Sequence, residues 1–254
     1  MPLESFDHAF AALCFVALPA HGYLKRNQLA REVAAGHPDA RLREYRKVLG
    51  LLVCGSLLLI GWWGYADRPV ALLRIALPVT SASVALVLAS LGAAGFLVRR
   101  LVLARRDPAR MKDVLELLSS AAGAEPLIPR SERERALFRW VSLAAGVGEE
   151  LIFRGFGLWY VAQFSSPWVA VIVTTLAFAA GHAYQGLGGV LRTGVFALGF
   201  GAAAVSSGTI LPLMVLHTVV DLVNGELLSH ALEWRDRAAL PTTGHAGEPN
   251  GSAG

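Results

Sequence analysis

Glu149 and Glu150 stand side by side inside an apolar stretch, and Arg154 follows one helical turn after Glu150. A charge at bilayer depth costs at least ~2.5–3.5 kcal/mol, so three ionisable groups within six residues need either internal compensation or a function. Further along, His182 closes the run Phe178-Ala179-Ala180-Gly181-His182. His217 and Asp221 then repeat an i,i+4 spacing in a third apolar run, with Asn224 about one turn beyond. Carboxylates and imidazoles on separate apolar segments are the equipment for activating a water, relaying protons or holding a metal.

Helix geometry sorts these groups. Glu150 and Arg154 share a face and can neutralise one another, whereas Glu149 is rotated by ~100° and points elsewhere. The spacing therefore predicts a division of labour, with Glu150 held in a structural ion pair and Glu149 free for general base work. Asp221 can orient the His217 ring through its other nitrogen, or both can face one metal or water. A lone buried histidine is usually only a hydrogen-bonded core residue. Finding His182, His217 and Glu149 on three apolar segments favours a shared site.

The elements that must position them are membrane helices. The 254 residues are 54% hydrophobic and 17% charged, against about 25% charged in soluble domains. The fold class read from this is all-α, a polytopic membrane helical bundle of about seven transmembrane helices (six to eight), with the chemistry in the last four. Apolar segments of span length fall at 6–24, 48–66, 79–98, 137–164, 167–185, 193–207 and 209–228. Residues 25–47 hold seven Lys/Arg and residues 99–135 hold nine. With seven spans and the N-terminus outside, both basic loops and the C-terminus fall in the cytoplasm, as the positive-inside bias requires. That bias also accounts for the net charge of +4 without a nucleic-acid partner. Glu4 and Asp7 near the start argue for a retained first span rather than a signal peptide. Cys14 and Cys54 offer no disulfide framework. Residues 110–118 fit either a surface amphipathic helix or a solvated connector. The chain divides into N-terminal helices and basic loops (1–135), a membrane core bearing the polar residues (136–230) and a flexible tail (231–254). One tension arises from measuring depth from the cytoplasmic ends: Glu149 and His182 then differ by ~10 Å.

Glu149-Glu150-x-x-x-Arg154, Phe178-x-x-x-His182 and His217-x-x-x-Asp221, in that order, resemble the three-motif pattern of the CPBP intramembrane proteases, relatives of the CAAX-prenyl endopeptidases (Rce1-like, Abi). The resemblance covers about residues 137–228. It implies an intramembrane endopeptidase in which Glu149 activates the attacking water while His182 and His217 bind it and stabilise the oxyanion. Glu150, Arg154, Phe178 and Asn224 are supporting residues on this reading. Many members carry Asn where this chain has Asp221, and an ionised Asp cannot donate to an oxyanion. Asp221 is left to orient His217, to act protonated or to bind a metal. Both glutamic and metal-dependent chemistry stay open: zinc is the candidate cofactor, with Glu149, His182, His217 and Asp221 as candidate ligands, although the zinc motif His-Glu-x-x-His is absent. The implied partner is a membrane-anchored protein or peptide substrate within the lipid bilayer, and the implied location a bacterial cytoplasmic membrane. Two other functions compete: a non-catalytic scaffold or bacteriocin-immunity protein that keeps the fold, and a proton-coupled transporter. Transporters commonly show two related halves; here the buried charge sits in one half.

Overall fold

The computed structural model describes residues 3–25, 27–119 and 122–238. Every regular element among them is helical. Helix α1 runs as Ser5–Ala12, passes through a π turn at Leu13–Ala17 and resumes as Leu18–Lys25. A short α2 (Gln28–Ala34) leads to α3 (Ala40–Tyr65) and α4 (Ser81–Ala104). Helix α5 (Pro108–Ser119) lies between α4 and α6. Helix α6 starts as Glu132–Glu149, widens into a π-helix over Glu150–Gly157 and ends as Leu158–Ala162. Helices α7 (Pro167–Gly181), α8 (Gly186–Ser207) and α9 (Leu211–Ala238) complete the bundle.

The seven apolar segments expected to span each fall on one of the rods α1, α3, α4, α6, α7, α8 and α9. Four helical stretches among the described residues are long and apolar enough to cross a membrane, namely α3, α4, Ala183–Ser207 and α9, and α7 is a shorter apolar helix. The most apolar windows of α3 and α4 are only 11% buried. Large apolar side chains such as Leu57, Leu88, Leu91 and Phe96 therefore point outward, as a lipid-facing surface requires. A helix hydrophobic all round belongs in a membrane or a large core.

Several helices outrun their apolar windows. Helix α3 begins at Ala40, eight residues before the expected span, and α9 continues to Ala238. The segment expected as tail is thus helical from 231 to 238, and residues 239–254 lie outside the described residues. Ion pairs sustain the α9 end: Arg135 reaches Glu233 at 2.6 Å, Arg130 reaches Asp236 at 2.6 Å, and Arg105 and Arg139 reach Glu226 at 3.1 and 2.7 Å. Arg139 is thereby committed to Glu226. The two basic loops meet at the same end, where Arg41 Nε donates to the Pro126 carbonyl (2.9 Å) and Tyr45 Oη to that of Leu127 (2.6 Å). The 110–118 segment is helical, and its apolar side, Met111 and Val114, is buried against Leu227 and Ala231 of α9. Its amphipathic pattern serves packing within the protein.

The opposite end is tied by a different device. Asp7 is fully buried and takes both arms of Arg68, each at 2.7 Å. The guanidinium lies beside the edge-to-face pair of Trp63 and Trp159, 5.2 and 4.9 Å from their rings, which fixes α1 against the ends of α3 and α6.

Helix α6 touches α9 with almost no space between backbones. A Cβ on Gly146 would stand 2.8 Å from the Met214 carbonyl oxygen and 2.7 Å from the Thr218 backbone nitrogen, so neither neighbour is a flexible side chain that can yield. Gly146→Ala is expected to cost about 1–3 kcal/mol through overpacking and to lower the melting temperature in detergent. Gly199→Ala, with nothing within 4 Å of its Cβ, is expected to leave that temperature unchanged or slightly higher.

Candidate active site

The site forms where α6, α7, α8 and α9 converge. Glu150 is completely buried, and its Oε1 accepts two hydrogen bonds, one from Arg154 Nη1 at 3.1 Å and one from His217 Nδ1 at 2.8 Å. Its Oε2 is buried without a hydrogen-bond partner among the described residues, so Oε1 alone carries both contacts. Arg154 also donates Nη2 to the Ala197 carbonyl of α8 at 3.4 Å, and its Cζ lies 4.4 Å from the ring of Phe178 and 5.8 Å from that of Phe200. A buried cation gains from such desolvated aromatic faces.

His217 is the hinge between the buried pair and the open part of the site. Its Nε2 is 3.8 Å from Glu149 Oε2 and 3.8 Å from Asp221 Oδ2. Exposure grades across the group: the side chains of Glu150 and His217 are 0% and 7% exposed, those of Glu149 and Asp221 19% and 34%. The carboxylates beside Nε2 are therefore the accessible ones, and the one on Nδ1 is sealed.

This geometry alters two expectations. Glu149 does not point away from the Glu150–Arg154 pair's surroundings, because both glutamates address the same imidazole from opposite sides. The backbone at both residues is regular α-helix, φ −69° and ψ −38° at Glu149 and φ −63° and ψ −42° at Glu150, so they leave α6 ~100° apart and reach the ring from two directions, just where the π-helix begins. Such insertions occur often at functional sites. The group that orients His217 through Nδ1 is Glu150, not Asp221. Asp221 shares the Nε2 side with Glu149.

His182 caps the end of α7, its Nδ1 paired with the Phe178 carbonyl at 2.9 Å. The Phe178 ring lies between the histidines, with centroids 4.6 Å from His182 and 6.3 Å from His217. The depth tension disappears when distance is measured from the turn at 163–166. Glu149 lies about 13 residues before Ala162 and His182 about 15 after Pro167, ~20 and ~23 Å of helix rise. Helix α7 is short, whereas α6 extends far past the site toward its basic end. Asn224 is exposed and makes no hydrogen bond among the described residues. Gly225 is turned against Phe138 of α6, which rotates its neighbour away. Sequence reasoning passed over the contribution of α8: the Phe196 and Phe200 rings stand 6.0 and 6.2 Å from His217. Their i,i+4 spacing in a Gly-rich span was the available signal.

Among the described residues no group of three or more His, Cys, Asp or Glu side chains is arranged to hold a metal ion. Tetrahedral zinc with bonds of about 2.0 Å sets its ligands about 3.3 Å apart. The 3.8 Å separations around Nε2 are wider, although the Nδ1–Glu150 bond is one a metal-binding histidine also makes. The residues as placed do not fit a zinc centre.

Removing Arg154 strands the Glu150 carboxylate in the core. Arg154→Met is expected to destabilise by about 3–5 kcal/mol, and Glu150→Gln added to it to restore part of that loss, both read as melting temperature in detergent. Arg154→Lys is expected to rescue poorly, because an ammonium lacks the planar fork that bonds and stacks at once.

No curated protein and no solved structure matches this chain. One family model does, that of the type II CAAX prenyl endopeptidase Rce1-like proteins, over residues 133–223. The match begins one residue into α6 and takes in Glu149, Glu150, Arg154, Phe178, His182, His217 and Asp221; Asn224 lies one residue past it. Over residues 133–223, the four converging helices of the site are thus similar to the type II CAAX prenyl endopeptidase Rce1-like family.

Proposed function

We propose that this protein is an intramembrane endopeptidase that hydrolyses a peptide bond near the terminus of a membrane-anchored protein or peptide, with a water activated by Glu149. The observation that carries this reading is the asymmetric setting of His217, with a sealed carboxylate on Nδ1 and two accessible carboxylates near Nε2. In the cycle, Glu149 takes a proton from the water as its oxygen attacks the scissile carbonyl. His217, held by Glu150 and carrying a proton on each nitrogen, donates Nε2–H toward the reacting oxygens. His182 supplies a second donor through its Nε2, since Nδ1 is bound to the Phe178 carbonyl. The tetrahedral intermediate collapses when Glu149 returns the proton to the leaving amine. Fixed donors in a water-poor site are worth more than the same donors in bulk water.

Asp221 is the distinctive residue of this reading. In its ionised form it reinforces the imidazolium on the Nε2 side. In its protonated form it donates to the oxyanion as an amide does. The arginine-rich loops at one end of the bundle favour placing that end in the cytoplasm, with the N-terminus outside. The close contact at Gly146 brings α6 and α9 near enough for the site to work between them.

The test uses purified protein in lipid nanodiscs with a library of membrane-anchored peptides. Wild type is expected to cleave, and Glu149→Gln to lose about 10²–10⁴-fold or more in rate, the range for a missing general base. Cleavage is expected to survive a strong chelator. Equal cleavage by wild type and Glu149→Gln would falsify the assignment of the base, and loss of activity on chelation with recovery on zinc would replace the glutamic mechanism by a metal one. Asp221→Asn is expected to retain activity, because the amide keeps a donor on the same atom positions; the pH–rate profiles of the two forms report whether the carboxyl titrates in the cycle.

A further inference from the structure

We infer that the basic end of the bundle carries a binding site for the phosphate headgroup of an anionic phospholipid, separate from the candidate active site. A cavity of about 400 Å³ opens between the end of α4, the start of α5 and the last turns of α9. Its cationic lining consists of Arg105, Arg106 and Arg237, with His230 and Trp234 beside them. On α9 it lies nine residues beyond Asp221, ~13 Å along the helix.

The two carboxylates of the lining do not cancel this charge, because arginines outside the cavity already hold them. Asp107 Oδ2 is paired with Arg110 at 3.2 Å and its Oδ1 accepts the Ala109 backbone N–H at 3.0 Å. Glu233 Oε1 is paired with Arg135 at 2.6 Å, which leaves only a 3.8 Å contact between its other oxygen and Arg237. Glu226, which meets Arg105 at 3.1 Å, also takes Arg139 at 2.7 Å. Arg106 makes no ion pair among the described residues and is exposed. The His230 Nδ1 is bound to the Glu226 carbonyl at 2.7 Å, which leaves Nε2 for a ligand. The cavity therefore holds surplus positive charge with open donors.

Its position selects a lipid over a soluble anion. The apolar run of α4 ends at the cavity, and Phe96, Val98 and Val102 are exposed on the helix leading to it. Trp234 packs against the apolar cluster of Ala104, Met111 and Ala231, in the manner of interfacial tryptophans at headgroup level. A phosphate between the arginines would leave acyl chains against the exposed face of α4. Basic pockets between helix ends are suited to anionic headgroups.

The experiment titrates the full chain in non-ionic detergent with phosphatidylglycerol, phosphatidylcholine or inorganic phosphate, reading bound lipid by native mass spectrometry and tryptophan fluorescence. Saturable binding of phosphatidylglycerol is expected. It should weaken roughly 30-fold in Arg106→Gln/Arg237→Gln, about fivefold per arginine, and its fluorescence change should vanish in Trp234→Phe. Equal retention of phosphatidylcholine, or equal binding by the double variant, overturns the site. Displacement of the lipid by millimolar inorganic phosphate also overturns it, by showing a free-anion site. Arg106 holds no ion-pair partner among the described residues and Arg237 is largely solvent-exposed, so the double variant is expected to melt with wild type.

Discussion

A single buried oxygen, Glu150 Oε1, receives both the guanidinium of Arg154 and the imidazole of His217. Much of the bundle's architecture follows from keeping that oxygen dry and satisfied. A carboxylate in hydrocarbon is costly unless its charge is met by well-placed donors. Arg154 comes from the same helix, but His217 must be delivered by α9, the Phe178 face by α7, and the Ala197 carbonyl and Phe200 ring by α8. Four helices are thus committed to one point. The same arrangement that stabilises the charge fixes the direction of the histidine facing the open side.

The π turn and the close helix contact at Gly146 are the local means to this end. The first carries Glu150 and Arg154 on its buried side, and the second lets α9 approach until His217 lies between the two glutamates. The site is therefore polarised along one short axis. At one end are Arg154 and Glu150, packed in aromatic rings and closed to solvent. At the other are Glu149 and Asp221, accessible and 3.8 Å from the same ring nitrogen. A buried charge pair in such a frame acts chiefly as a positioning device. That is a use of buried ionic groups that does not require them to add net stability.

The two ends of the bundle are organised on different principles. One is closed by the buried Asp7–Arg68 pair beside two packed tryptophans. The other is a network of arginines and carboxylates that carries α9 well past its apolar window and ends in a cavity with unspent positive charge. Positive charge gathers at a single end because both long loops return there. This is the asymmetry that orientation in a membrane depends on.

Composition and hydropathy by themselves determined that the chain is a bundle of membrane helices. Seven apolar stretches and the two arginine-rich loops leave little freedom when every backbone group must be satisfied within the segment. The cost of charge in an apolar run likewise singled out Glu149, Glu150, Arg154, His182, His217 and Asp221. Tertiary structure alone decided how these groups face one another. Periodicity set Glu149 apart from Glu150 on one helix, and only the approach of α9 places His217 where both reach it, one at each ring nitrogen. Sequence spacing also relates only residues on one helix. It could suggest Asp221 as the partner of His217, four residues away, but not Glu150, which lies 67 residues earlier and arrives by packing. The same holds for Phe200 and the Ala197 carbonyl, which carry no charge to mark them, and for Asp7 with Arg68. Their roles come from which helix lies beside which, and that is fixed by the sum of small contacts across the bundle rather than by any local pattern.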